Sequence, residues 1–295
     1  MESYSLGFSE SNLKILKLNS SKEIILKDEI ELGFSISDDF YLRKSMDEAA
    51  GIFSEKISPF KINDDASISS VSVLIETSNT FMNVFPVDFS EDKNIVNSHI
   101  MWELSNYFPE TYKDYSLKYF RLHNNYFNEN TDEVLLIAIE KSKIDFLKIL
   151  CNSIGIRVKS IGIDQFAAED CVKYLYPEDY TENNILLTGY KNSRMDFSLI
   201  SNGKIKYYDF IISDQIDIKT SLAKILGFFG KKFCDINIDK IFLYGEDKSG
   251  QLKDFLSDEI KDIPVTLMNP FRNGNLNDNQ SSFAPLFGLA LKNYT

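Results

Sequence analysis

SYSLGFSESNLKILKL, Ser3 to Leu18, and NILLTGYKNSRMDFSLI, Asn184 to Ile200, are built alike. Each has an apolar strand, a glycine with a small polar turn, and a second strand. Each is followed by a third strand, EIILKDEIELG at 23–33 and GKIKYYDFIIS at 203–213, and then by a helix-like segment. A β-β-β-α unit that occurs twice predicts a duplicated, two-lobed α/β fold. In such a fold the two turns face each other across a cleft.

The chain has 295 residues, enough for a large core and two domains. It carries 44 acidic and 32 basic residues, a formal charge of −12, which repels phosphate backbones and anionic lipid. Nucleic acid is therefore not an expected partner. Cys151, Cys171 and Cys234 are odd in number and set among apolar residues. They read as buried free thiols of a reducing compartment. The start, MESYSLGFSE, has neither the basic nor the apolar part of a leader peptide. The apolar run VLLIAI at 134–139 is too short to span a bilayer. The expectation is a soluble, cytoplasmic protein with no direct membrane insertion. His99 and His123 have no Cys or His partner at metal spacing, so no metal is expected. No G-x-S-x-G nucleophile motif occurs.

Along the chain, alternation marks strands at 13–18 and 24–32, and a helix is expected over 38–57, capped by Ser37 or Asp38. The Pro59-containing stretch 58–67 reads as a boundary loop. From 69 to 141 a compact β-α-β-β unit is expected. SVSVLIET and TFMNVFPV read as a hairpin turning at Ser78-Asn79, followed by a helix at 91–107 ended by Pro109. Val96, Ile100, Leu104 and Tyr107 share one face of that helix. The strands DYSLKYFRL and DEVLLIAIE complete the unit. A helix at 142–153, the strand RVKSIGID and the helix QFAAEDCVKYLY follow, and 177–183 read as a hinge-like link. The second half adds a helix at 216–233, the strand KIFLYG, the helix SGQLKDFLSDEI, the strand PVTLMN, a polar loop NPFRNGNLNDNQSS and a short apolar helix FAPLFGLALKN.

Five of these segments, in this order, resemble the PilM family of type IV pilus assembly, which belongs with FtsA in the actin/Hsp70 superfamily. They are Leu6-Gly7…Lys14, Trp102-Glu103 with Tyr107-Phe108-Pro109, Gly155-Ile156 through Phe166-Ala167, Phe242-Leu243-Tyr244-Gly245 through Asn269-Pro270-Phe271, and Phe287-Gly288-Leu289-Ala290-Leu291-Lys292. The resemblance implies an actin-like (RNase H-like) two-lobed fold with an inserted β-α-β-β subdomain. On that reading residues 1–178 form the first lobe, with 69–141 inserted. Residues 179–295 form the second, with a C-terminal helix at 284–292 packing back on the body.

An actin-like ATPase clamps phosphates between the two turns, with small residues cradling the oxygens and an Asp in each turn holding Mg²⁺. Here the resemblance places Ser9 and Thr188 where those aspartates belong. Tyr190 and Lys191 replace small residues in the second turn. A third turn, Gly245-Glu246-Asp247-Lys248, has one glycine and two carboxylates. Between the third strand of the second half and KIFLYG there is room for one helix, not for the subdomain that closes over the base. The implied cleft, made of Ser9, Asn12, Thr188, Gly189, Asn192 and Gly245, is then vestigial. The expectation is a nucleotide-independent scaffold without cofactor, a pseudo-ATPase. The alternative is a divergent ATPase or sugar-kinase-like protein in which Lys191 or Arg194 neutralises phosphate.

If the chemistry is gone, a binding surface carries the function. The resemblance implies that a short cytoplasmic peptide of an inner-membrane assembly protein docks in a groove between the first lobe and its inserted subdomain. Trp102, the only Trp, lies about 160° round its helix from the core stripe. It reads either as a partner-facing anchor, with Tyr107 and Phe108 extending an aromatic neighbourhood, or as packing against a strand.

Overall fold

The computed structural model of the chain describes residues 2–36, 46–60, 62, 70–122, 124, 130–191, 194–212, 220, 227, 236–246, 251–259, 263–271 and 280–294. The chain divides into two compact units, Met1–Asp164 with Leu289–Thr295, and Gln165–Gly288.

The first unit is built on β1 (Ser3–Ser9), β2 (Asn12–Leu18), β3 (Ile24–Glu31), β4 (Ser70–Ile75) and β8 (Arg157–Ile163). The strand order is β3-β2-β1-β4-β8. The first three strands run antiparallel, and β4 and β8 continue the sheet in parallel. Alternation sorts β1 into two faces. Tyr4, Leu6 and Phe8 enter the main core, which α1 (Met46–Ile57) lines with Ala49, Phe53 and Ile57, and α3 (Lys141–Ser153) with Phe146, Leu147 and Leu150. The other face carries small residues, Ser3, Ser5 and Gly7, continued by Ser72 on β4 and Ser160 on β8. There the C-terminal residues are tied down. Asn293 Nδ2 donates to Ser3 Oγ (2.7 Å), Ser72 Oγ donates to Asn293 Oδ1 (3.1 Å), and Ser72 and Ser160 share a hydrogen bond of 2.9 Å. Tyr294 OH donates to the carbonyl of Asn19 (2.7 Å).

Residues between β4 and α3 form a separate antiparallel sheet, β5 (Phe81–Asp88), β7 (Thr131–Glu140) and β6 (Tyr115–Arg121), in the order β5-β7-β6. On one face lies α2 (Lys93–Tyr107), started by the Asp92 carboxylate accepting from Asn94 N. Val96, Ile100 and Leu104 pack on Phe85, Val87, Val134, Leu136 and Ala138. The expected hairpin of SVSVLIET with TFMNVFPV is not formed. β4 pairs in parallel with β1 and β8, and β5 pairs with β7. The Thr77–Asn79 segment that looked like a hairpin turn is a 3-10 turn that carries the chain from one sheet to the other.

The second unit repeats the first sheet. β9 (Ile185–Lys191), β10 (Arg194–Ser201) and β11 (Lys204–Ile212) are antiparallel, β12 (Lys240–Gly245) and β13 (Val265–Leu267) extend them in parallel, and the order is β11-β10-β9-β12-β13. The duplication read from the two hairpins is thus present strand for strand. One face holds Leu186, Met195, Phe197, Leu199, Ile241 and Leu243 with Leu252 and Leu256 of α6 (Gln251–Glu259). Before them come α4 (Asp164–Leu175) and α5 (Pro177–Glu182), and α7 (Ala284–Leu291) belongs to this unit as far as Gly288.

The break between compact units falls at 164/165 and 288/289, so that α4 from Gln165 onward lies in the second unit. Gln165 Nε2 donates to the Leu187 carbonyl (3.1 Å) and Ser198 Oγ (2.9 Å), and its Oε1 accepts from Tyr244 OH (2.7 Å). Pro177, read as part of a link, opens α5, a position where its missing N–H costs nothing. The helix expected at 38–57 is described from Met46 onward. The one expected at 216–233 lies almost wholly outside the described residues, as do Cys234 and His123.

Candidate functional site

The first turn is as tight as a hairpin allows. Ser9 pairs with Asn12, leaving Glu10 and Ser11 between them. The carbonyls of Glu10 and Ser11 accept from Ile36 N (3.1 Å) and Leu32 N (2.7 Å). Asn12 Nδ2 donates to Glu29 Oε1 (3.0 Å). Ser9 is half-buried at the strand end.

In the second unit Lys191 pairs with Arg194. Asn192, between them, lies outside the described residues. β1 and β9 each have seven residues, with the glycine fifth in both. Gly7 therefore matches Gly189, Ser9 matches Lys191, and Thr188 matches Leu6. Ser9 and Thr188, assigned to one role from sequence, do not occupy equivalent positions. The correction does not restore an aspartate, because neither SYSLGFS nor ILLTGYK contains a carboxylate. Thr188 is fully buried on the face of Leu186, and its hydroxyl has no partner among the described residues.

The glycines of this unit serve its own packing. A Cβ on Gly189 would run into the hydroxyl and ring of Tyr244. A Cβ on Gly245, at φ +112°, would run into the Tyr190 carbonyl. That carbonyl accepts from Glu246 N (2.7 Å), and the Gly245 carbonyl accepts from Ser281 Oγ (2.9 Å).

A charged cluster missed at the sequence level stands beside the second turn. Asp196 on β10, opposite Gly189, is buried. Arg194 Nε and Nη2 each donate to its Oδ1 at 3.0 Å, Tyr208 OH donates to the same oxygen at 2.5 Å, and Arg194 Nη2 also donates to Tyr208 OH at 3.0 Å. The guanidinium lies 3.9 Å over the Phe210 ring. Burial works against the charge of Arg194, but Asp196 and Tyr208 offset it and hold the guanidinium above its ordinary pKa. Burial, then the Asp196 carboxylate, push the Tyr208 phenol well above its usual range. Arg194 is committed to this cluster. The signal for it was R-x-D on one strand and Y-x-F on the next, which becomes readable only when the register is known.

On α2, Trp102 is 59% exposed and Ile95 53%. His99 joins them, its ring 5.9 Å from Trp102 and its Nε2 3.6 Å from Glu103. The packing alternative for Trp102 is therefore not what the fold adopts. Tyr107, 53% exposed, lies about 140° round the helix from Trp102. Its ring lies tilted 4.9 Å from Phe81, and its hydroxyl accepts from Asn83 Nδ2 (3.1 Å). Phe108 is half-buried between Phe81 (5.0 Å) and Tyr115 (4.6 Å). The three residues do not form one aromatic patch: Trp102 faces outward, Tyr107 caps the helix end, and Phe108 belongs to the packing beneath it. A small recess lies where β4 hands over to β5, lined by Ile36, Ile75, Asn79, Lys143, Phe146 and Leu147. Trp102 is not among its lining residues. Beside it, the Asp164 carboxylate accepts from Thr77 N (3.0 Å).

Among the described residues no group of three metal-binding side chains occurs, and no helix is long and apolar enough to cross a membrane.

Two five-stranded sheets of one strand order, each led by an antiparallel triple, define an actin-like ATPase fold. The chain belongs to the family of the type IV pilus assembly protein PilM, whose model matches residues 6–209. A chain of the PilM-PilN type IV pilus biogenesis complex shares the fold with a TM-score of 0.68 at 12% identity, over 100% of this chain and 99% of that one. A Bacteroides thetaiotaomicron protein with actin-like ATPase fold and unknown function matches with a TM-score of 0.54 at 13% identity, covering 95% and 94%. The ethanolamine utilization protein EutJ from Carboxydothermus hydrogenoformans matches at 0.52 and 8% identity, covering 99% and 89%. Comparison with curated proteins gives no match.

Proposed function

We propose that this PilM-family protein is a nucleotide-independent scaffold, a pseudo-ATPase acting in the cytoplasm in a pilus or secretion assembly platform. The observation that carries the reading is the absence of any carboxylate from β1 and β9. A Mg²⁺-dependent phosphate clamp needs oxygen ligands there. Three further features support it. Gly189 and Gly245 are required by neighbouring side chains and backbone, Asp196 is neutralised by Arg194, and the carbonyls of the first turn are bonded to the chain beyond β3. On this reading Ser9 and Asn12 of the first turn, and Thr188, Gly189 and Gly245 of the second unit, hold no phosphate.

The partner in this reading is an inner-membrane assembly protein, which presents a short cytoplasmic peptide. The relative solved as a PilM-PilN complex supports that class of partner. The recess at the β4–β5 junction, the exposed Trp102 and, at the end of α2, Tyr107 with Phe108 are the candidate contacts.

The test is a thermal shift with millimolar ATP and Mg²⁺. A ligand at 100 times its Kd adds about 2.7 kcal/mol, an effect easily seen. No shift is expected. A clear rise abolished by a chelator overturns the reading in favour of a divergent ATPase.

A further inference from the structure

The outward face of α2 carries two large exposed apolar side chains, Ile95 and Trp102, among the exposed polar Asn94, Ser98 and Asn106. Ile95, His99 and Trp102 follow at i, i+4 and i+7, a stripe about 10 Å long and about 130° round the helix from the buried Val96, Ile100 and Leu104. Its surroundings are acidic. Glu91 and Asp92 are exposed at one end, Glu110 is exposed at the other, and Glu103 flanks the middle. Lys93 is the only Lys or Arg between 88 and 110. Across residues 81–140 the chain carries ten acidic and four basic residues.

This charge decides between occupants. A second copy of the chain would bring like charges together, and anionic lipid would be repelled. A helix face two turns long offers no sheet edge for an extended strand to pair with, whereas a second helix can pack along it. From this we infer that the outer face of α2 docks a basic amphipathic helix: aliphatic residues cover Ile95 and Trp102, and lysine or arginine residues meet Glu91, Asp92, Glu103 and Glu110. Arginine can also lie over the Trp102 indole. Cytoplasmic segments next to a membrane span are enriched in Lys and Arg. The inference rests on the scaffold reading and assigns the chemistry of the partner's segment.

Trp102 is the only tryptophan, so its fluorescence reports this face alone. Three synthetic 18-residue peptides serve as probes: an amphipathic helix of Leu with Lys and Arg, the same peptide with Glu for every Lys and Arg, and a scrambled basic peptide without an apolar face. The amphipathic basic peptide is expected to shift Trp102 emission to the blue, to bind at least tenfold more tightly than the other two, and to weaken as salt rises from 0.05 to 0.5 M. By anisotropy of the labelled peptide, Trp102→Ala and Glu103→Lys should each weaken binding at least fivefold, with melting temperatures close to that of the unaltered protein. No binding, equal binding of the scrambled or acidic peptide, or binding indifferent to Trp102→Ala overturns the inference. The scaffold reading is decided separately, by the ATP measurement, which does not involve α2.

Discussion

The Tyr244 side chain occupies the space that any side chain on Gly189 would need. Tyr244 is itself held by Gln165 (2.7 Å) and is buried, so it cannot swing aside. The glycine that looks from sequence like part of a phosphate cradle is required by a tyrosine of the neighbouring strand.

Gly189→Ala should therefore destabilise the fold by about 1–3 kcal/mol, the usual range for overpacking a core. Urea denaturation measures it. An Ala variant as stable as the unaltered protein would mean that the Tyr244 contact is soft.

Arg194→Ala should cost about 3–5 kcal/mol, because it leaves the buried Asp196 carboxylate without its cation. Arg194→Lys should recover only part of this, since lysine cannot reach Asp196 and Tyr208 together in the guanidinium geometry. Tyr208→Phe should cost about 1–3 kcal/mol for the lost hydrogen bond to a charged group. Denaturation of the three variants in one buffer ranks them, and a neutral Arg194→Ala would refute the cluster's role.

Asn293→Ala removes the group that joins Ser3 to Ser72. It should lower stability by about 1–3 kcal/mol. Hydrogen exchange of β1 and β4 should quicken with it. Unchanged exchange would mean that the C-terminal residues rest on the sheet without securing it.

Burial pushes the Cys151 thiol up to about 12 from an ordinary value of 9.0. The folded state holds this proton where the unfolded chain releases it, so its contribution is intact below pH 9 and declines as pH rises toward 12. Mass mapping after alkylation at pH 8 should find Cys151 and Cys171 unlabelled in the native protein and labelled in guanidinium.

Much of the fold was legible because its signals are local. Alternation and a glycine before a polar turn mark β1–β2 and β9–β10, and their recurrence exposes the duplication. The 3.6-residue period of α2 set Trp102 off the core stripe, but whether it met a strand or solvent was not legible. The pairing of β4 was not legible. Its partners β1 and β8 lie far away in sequence, whereas β5 is adjacent, and Ser78-Asn79 imitates a hairpin turn. For the site, the absence of carboxylates from the two strands was readable, but the matching of positions was not. Ser9 and Thr188 can be set side by side only until the registers Ser9↔Asn12 and Lys191↔Arg194 fix both hairpins. The Arg194–Asp196–Tyr208 cluster depends likewise on the β10–β11 register.

The hydrogen bonds of Asn293 to Ser3 and Ser72 have a bearing on biosynthesis. Ser3 leaves the ribosome long before Asn293, which follows the whole of the second unit. β1 can pair with β2 early, but the small-residue face of its sheet stays uncovered until translation has passed residue 293. For that interval the nascent chain exposes a half-finished sheet, and a pause or truncation before Leu289 would leave it in that state.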